Sequence, residues 1–251
     1  RCVCERLILH QVVSFRYAFM SIVISQQVML ARREVSAEIT ERGYAVIRGH
    51  RPELNSLEAF SDFGVIETVE GLNTIQQLVP RERNASLPNT YSGNFGVEEF
   101  PLHTDLAHWA TPPQFLALRC VIGTSFVPTR ILDGHLLIQH FGPKFLRSLL
   151  VQPRRPMRNG KQLLQMLERV GQKDTFQIRW DSIYLKAATD RSAFSFEKVK
   201  DFLTSSIATE VLLVERGDTL IVDNWRCLHG RASVGSAVKV RQIDRAYLRS
   251  L

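Results

Sequence analysis

The sequence predicts one mainly β domain, built on an antiparallel double sheet with helices added around it. Three observations predict it. Apolar runs of strand length flank both halves of a split motif, Phe100 to Asp105 and Val222 to Arg231, so paired sheets are the simplest way to join them. No internal repeat, low-complexity tract or Gly/Ser linker divides the chain. At 251 residues and 45% hydrophobic content, the chain can bury one full core.

The elements follow in order. From about Gln27 to Glu41, the apolar residues Val28, Ala31, Val35 and Ile39 recur at three- and four-residue steps, which predicts an amphipathic helix stopped by Gly43. Tyr44 to Gly49 reads as a buried strand, and Leu57 to Phe63 as a helix capped by Ser56 and closed at Gly64. Pro88 to Asn94 is a turn-rich loop entering the site, the kind of segment that sets substrate specificity. Thr111-Pro112-Pro113 breaks the chain before a core strand at Gln114 to Ile122, with Val127 to Leu132 expected beside it. Helices are expected at Pro143 to Leu150, at Gln162 to Val170 and at Ser195 to Ser205, with Phe176 to Leu185 a strand between them. The closing unit reads as a hairpin, Glu210 to Glu215 and Thr219 to Val222 about a Gly217-Asp218 turn, followed by a last strand from Val238 to Leu248. That turn accounts for Arg216-Gly217-Asp218 without any adhesive role.

Composition narrows the partners. A formal charge of +7 and a pI near 9.5 would serve nucleic acid only if the basic residues clustered. They do so only from Arg154 to Lys161, a short run that reads as a solvated loop, so nucleic acid is not an expected partner. Cys2, Cys4, Cys120 and Cys227 form neither a zinc frame nor a disulfide pattern, which points to a reducing compartment and a cytoplasmic protein. Residues 1–30 read as an N-terminal extension of unsettled role, with the domain spanning 31–251. The extension is apolar but broken by Glu5, Arg6, His10, Arg16 and Gln26-Gln27, which argues against a membrane span or a signal peptide. Met20 or Met29 would make natural starts, and an Arg-bearing targeting segment is the sharper alternative.

The chemistry is carried by His103-Thr104-Asp105 and His229. In extended chain, residues i and i+2 share a side, so the His103 imidazole and the Asp105 carboxylate can converge on one point. A second imidazole from His229 completes two nitrogens and one oxygen, a set suited to a divalent iron held on one face of an octahedron. Arg241 and Arg245 also share a face of a strand, and a guanidinium meets a carboxylate in two parallel hydrogen bonds. Asp223, Asn224 and Trp225 are expected to form the turn that orients His229, Cys227 to lie in the core, His108 to be structural, and His135 and His140 to be surface or packing residues.

Taken together, Phe100 to Asp105, the Thr-Pro-Pro at Thr111, the Asp-Asn-x-Arg-x-x-His-Gly-Arg block at Asp223 and the Arg241-x-x-x-Arg245 pair resemble the taurine dioxygenase family of iron(II)- and 2-oxoglutarate-dependent oxygenases. The resemblance covers roughly residues 40 to 250. It implies a double-stranded β-helix, the jelly roll of the clavaminate synthase-like fold. It implies that His103, Asp105 and His229 ligate iron, and that Arg241, helped by Thr129, grips 2-oxoglutarate. It also implies a dioxygen-dependent hydroxylation of an unactivated C–H bond, with release of succinate and carbon dioxide. Because Asp105 fills the position that chloride takes in related halogenases, hydroxylation is favoured, with desaturation or cyclisation open from the same chemistry.

For the small-molecule substrate, Arg245 would favour an anionic group. Glu98 and Glu99 would attract an amino group, and Asn94 would line the entrance, which together suit an amino acid or a tethered aminoacyl unit. The competing readings are a catalytically silent binding protein on the same fold and an oxygenase acting on nucleic acid. Homo-oligomerisation is left open.

Overall fold

In the computed structural model of the chain, the residues described are 26, 28–155, 162–171, 175–235 and 240–251. Most of the N-terminal extension, residues 156–161 of the basic run and residues 238 and 239 of the expected last strand lie outside them. A helix over residues 28–42 (α1) leads into β1 (Tyr44–Ile47), α2 (Ser56–Ser61), β2 (Val65–Glu67) and β3 (Gln76–Leu78). A 3-10 turn at Arg83–Ala85 and α3 (Tyr91–Phe95) precede β4 (Phe100–His103), β5 (Phe115–Ile122) and β6 (Thr129–Asp133). Then come α4 (His135–Phe141), α5 (Pro143–Ser148), β7 (Leu150–Pro153), β8 (Leu164–Gln165), β9 (Leu167–Val170), β10 (Thr175–Ile178) and β11 (Leu185–Ala187). The chain closes with α6 (Asp190–Ser205), β12 (Thr209–Val211), β13 (Thr219–Asp223), β14 (Cys227–Arg231) and β15 (Gln242–Ser250).

Two antiparallel sheets carry the molecule. The larger runs β1-β13-β5-β15-β2, with β3 also on β15, and the second runs β12-β6-β14-β4. Strand alternation explains how they pack. Leu116, Leu118 and Cys120 of β5 share one buried cluster with Ile243 and Tyr247 of β15 and with Ile131 and Cys227 of the second sheet, so these residues form the layer between the sheets. Their alternates Phe115, Ala117, Ala246 and Leu248 pack instead with Val35 and Ile39 of α1 and Phe60 of α2. On the far side, Leu102, Leu132 and Leu228 pack with Leu137, Leu146 and Leu203 of α4, α5 and α6.

Gly43 closes α1 as expected. Its N–H reaches Ile39 O at 2.8 Å, its φ is +83°, and a Cβ there would meet Cys227 Sγ at 2.3 Å, so the position demands glycine on two counts.

Several expectations are corrected. The cap of α2 is Asn55, whose side chain accepts from Glu58 N; Ser56 instead donates to Asp244 Oδ2 at 2.6 Å. The loop before β4 contains α3, capped by Thr90. Residues 162–170 form β8 and β9, not a helix, because pairing with β7 and β10 overrides their helical propensity. The helix α6 starts at Asp190 with Thr189 as cap, ahead of Ser195. The strand β6 does not lie beside β5: it pairs with β12 and β14, while β5 pairs with β13 and β15. The expected hairpin is likewise split, since β12 joins the second sheet and β13 the first. The Asp218 carboxylate organises the crossing between them, accepting from Gly49 N, Val214 N and Glu215 N at 3.0 to 3.2 Å.

Candidate metal centre

The strand β14 pairs with β4 so that His229 and His103 stand opposite one another. Both point into the space between the sheets, with ring centroids 4.5 Å apart. Asp105 follows just beyond β4. Its Oδ1 lies 3.5 Å from His103 Nε2 and 3.6 Å from His229 Nε2. One ligand atom from each of the three buried residues falls within 4.8 Å of the others, close enough to hold one metal ion.

Two of the three members are held from behind, whereas the buried Nδ1 of His229 has no hydrogen-bond partner among the described residues. Pro101 O lies 2.8 Å from His103 Nδ1, which fixes that nitrogen as the N–H and turns the Nε2 lone pair to the centre. The Tyr91 ring stacks on the same imidazole at 4.2 Å. Asp105 is the most constrained: its Oδ2 accepts from Arg245 at 3.0 Å and from the Tyr247 hydroxyl at 2.9 Å, leaving Oδ1 for the histidines. Its main chain is clamped by Asn224, which accepts from Asp105 N at 2.7 Å and donates to Asp105 O at 3.0 Å. Asn224 therefore orients the carboxylate half of the site, where the sequence suggested His229. Its amide also donates to Pro113 O, and Trp225 Nε1 donates to Pro112 O, so the Thr-Pro-Pro break supplies the acceptors that stitch the two motif halves together. Leu106, directly after Asp105, has a φ of +55°, an uncommon conformation for a non-glycine residue, and with His108 and Trp109 it lines the cavity beside the triad.

Charge is tuned by the same contacts. Burial alone would raise the Asp105 carboxyl, but Arg245, His103 and His229 hold it well below the usual range. Burial and the neighbouring His103 lower His229, which favours the neutral imidazole a metal needs. His103 also pays for burial, yet the Asp105 carboxylate raises it overall.

A cavity of about 670 Å³ opens over the triad. Alternation on β15 and the residue before it turns Arg241, Ile243, Arg245 and Tyr247 into this cavity, as the shared-face argument required. Arg241 is 7% exposed, has a buried Nε without a hydrogen-bond partner and makes no ion pair among the described residues. Thr129 lines the same wall. Arg231 lies beside them, its guanidinium 3.7 Å over the Phe100 ring and donating to Gly96 O and Glu98 O.

Two expected residues are not brought to the cavity. The Asn94 amide bonds back to Thr90 O within α3, and Glu99 pairs with Arg130 on the surface; Glu98 is likewise taken by Arg83. Arg245 is not free for a substrate anion either, being bonded to Asp105 and Gln76. Tyr247 was missed, although counting two residues on from Arg245 would have found it. Arg179, fully buried, donates to the carbonyls of Ala107, Trp109 and Ala110 and so holds the loop after Asp105; a lone arginine just past β10 carries no signal in the sequence.

No protein-family model and no curated protein matches the sequence. Solved structures match it in fold. An asparagine oxygenase in complex with Fe(II), a hydroxyasparagine and succinate superposes with a TM-score of 0.65 at 17% identity, over 90% of this chain and 79% of that one. The non-heme iron oxygenase OrfP, in complex with Fe and alpha-ketoglutaric acid, gives 0.64 at 19% identity over 91% and 80%. The PvcB protein from Pseudomonas aeruginosa gives 0.62 at 16% identity over 86% and 79%. At such low identity, what is shared is the fold.

Proposed function

We propose that the protein is an iron(II)- and 2-oxoglutarate-dependent oxygenase that hydroxylates an unactivated C–H bond of a small amino-acid-like metabolite, and that its two sheets are the faces of a double-stranded β-helix, or jelly roll. One observation carries the reading: a buried His-Asp-His set and an unpaired buried guanidinium face the same cavity. The donor set fits iron(II), being two neutral-capable imidazoles and one carboxylate oxygen with room opposite. The Arg241 guanidinium fits a dicarboxylate, since a buried cation without a partner is costly until an anion reaches it. Fold relatives crystallised with iron, succinate and alpha-ketoglutaric acid support the same pairing of metal and oxoacid.

In this reading His103, Asp105 and His229 hold the iron, and Arg241 with Thr129 receives the distal carboxylate of 2-oxoglutarate. Iron and 2-oxoglutarate held there would supply the oxidising chemistry, one oxygen atom of dioxygen going to the substrate and the other to succinate with loss of carbon dioxide. Arg245 and Tyr247 keep Asp105 turned so that one oxygen serves the metal. The apolar walls, among them Leu116 and Leu118, exclude water and limit uncoupled oxidation. Residues 31–251 work as one catalytic domain.

The test is iron-dependent conversion of 2-oxoglutarate to succinate, stimulated by substrate. His103→Ala or Asp105→Ala should abolish it along with iron binding, and Arg241→Gln should raise the KM for 2-oxoglutarate by about 10- to 100-fold, the scale of a lost charged hydrogen-bond pair. Failure of the intact protein to bind both iron and 2-oxoglutarate would overturn the reading.

A further inference from the structure

One buried acid in the cavity wall is not used by the metal centre. Asp181 is 2% exposed and lines the cavity. Its Oδ1 accepts from Ile183 N at 2.7 Å and Tyr184 N at 2.9 Å, which fixes the carboxylate's direction. Among the described residues no lysine or arginine pairs with it; burial raises its carboxyl, and His103, the turn amides and the Tyr91 hydroxyl work against that rise. The second buried carboxylate of the cavity, Asp105, by contrast has an arginine partner, Arg245, and a tyrosine donor, Tyr247, both on Oδ2. Three rings surround Asp181. The buried Tyr91 hydroxyl lies against it and interacts with the carboxylate. Tyr184 stands edge-on to Tyr91 at 5.9 Å and tilted to His108 at 5.4 Å, and His108 Nδ1 is also unpartnered.

A buried carboxylate beside aromatic rings is a receptor for a cation, because both attract positive charge and the site is largely desolvated. A turn-capping role explains the two bonds to Oδ1 but leaves a buried carboxylate in the cavity wall with no lysine or arginine among the described residues to balance it. Burial lowers the pKa of His108, so that ring does not supply the missing positive charge. The cavity is thus polarised, with Arg241 and Arg231 forming a cationic wall and Asp181 an anionic one.

We propose that Asp181, flanked by Tyr91, Tyr184 and His108, binds a cationic nitrogen group of the substrate, an ammonium or a guanidinium, and selects substrates by that charge. The proposal rests on the oxygenase reading and names the substrate class for it. It also relocates the amino-group recognition expected of Glu98 and Glu99, both of which are spent on surface arginines.

The experiment is calorimetric titration of the protein loaded anaerobically with iron(II) and 2-oxoglutarate, using probes paired by the presence or absence of one cation. L-Lysine is compared with L-norleucine and L-arginine with L-citrulline for a side-chain cation, and L-norleucine with its N-acetyl form for an α-ammonium. At least one pair should separate by about tenfold or more in affinity in the native protein. In Asp181→Asn, which keeps an Oδ1 acceptor for Ile183 and Tyr184, that separation should shrink to about twofold, and Tyr91→Phe should reduce it partway. No separating pair, or a separation that survives Asp181→Asn, overturns the assignment. Iron and 2-oxoglutarate binding, read in the loading steps, reports on the oxygenase reading separately.

Discussion

Asp105 is gripped at its amide, its carbonyl and one carboxylate oxygen before any metal is considered, so the residues behind it are where single substitutions should speak most clearly. Tyr247→Phe removes one of two donors to Oδ2 and should weaken iron affinity by about tenfold with little loss of stability, measured by metal titration and thermal melting. Asn224→Ala removes three buried hydrogen bonds at once and should cost about 3 kcal/mol in chemical denaturation. Asp223 gives a pH signature. Burial pushes its carboxyl up to about 6, against the hydrogen bonds from Trp225 and Arg226. With the folded pKa above the unfolded value, the folded state binds the proton more tightly, so stability falls as pH rises from about 4 through about 6 and stays lower above it. Asp223→Asn keeps the acceptor for Trp225 N and should raise the unfolding free energy in chemical denaturation at pH 7.5 but not at pH 4, by an amount on the order of 1 kcal/mol.

Individual arginines tie separate elements together. Arg226 pairs with Asp133 of β6 through both carboxylate oxygens, at 3.0 and 2.6 Å. It also donates to the carbonyls of Ile39, Thr40 and Glu41, the open C-terminal end of α1. Arg226→Ala should therefore destabilise the protein by about 2 to 4 kcal/mol and, in hydrogen exchange, release residues 28–42 before the sheets. Sequence reading failed most often at this scale. The periodicity of 162–170 fits a helix, yet edge pairing with β7 and β10 decides its state. Val127 to Leu132 has the composition of a strand, but nothing local tells a strand which of two sheets it will join, and β6 pairs with β12 and β14.

Across the whole molecule, the cluster proposed to hold the metal was legible because ligand chemistry is encoded in short spacings: His103 and Asp105 two apart, Arg241 and Arg245 on one face. Residues that recognise a ligand only by where the fold places them were not legible. Asp181 sits in Trp180-Asp181-Ser182 without any pattern to mark it, and becomes conspicuous only once Tyr91 and His108 are folded against it. The division into layers was half visible, since alternation in β5 and β15 predicts two buried faces but not that α1 and α2 cover one of them.

The clamp between Asp105 and Asn224 joins positions 119 residues apart in the chain. A contact so remote in sequence forms only after much of the chain entropy between its ends has been surrendered, so this centre is absent from early folding species. The unfolded chain then has no preformed place for iron, and the metal should act as a thermodynamic wedge on the folded side alone. The melting temperature should climb with the logarithm of free iron(II), and chelation should return it to a fixed lower value.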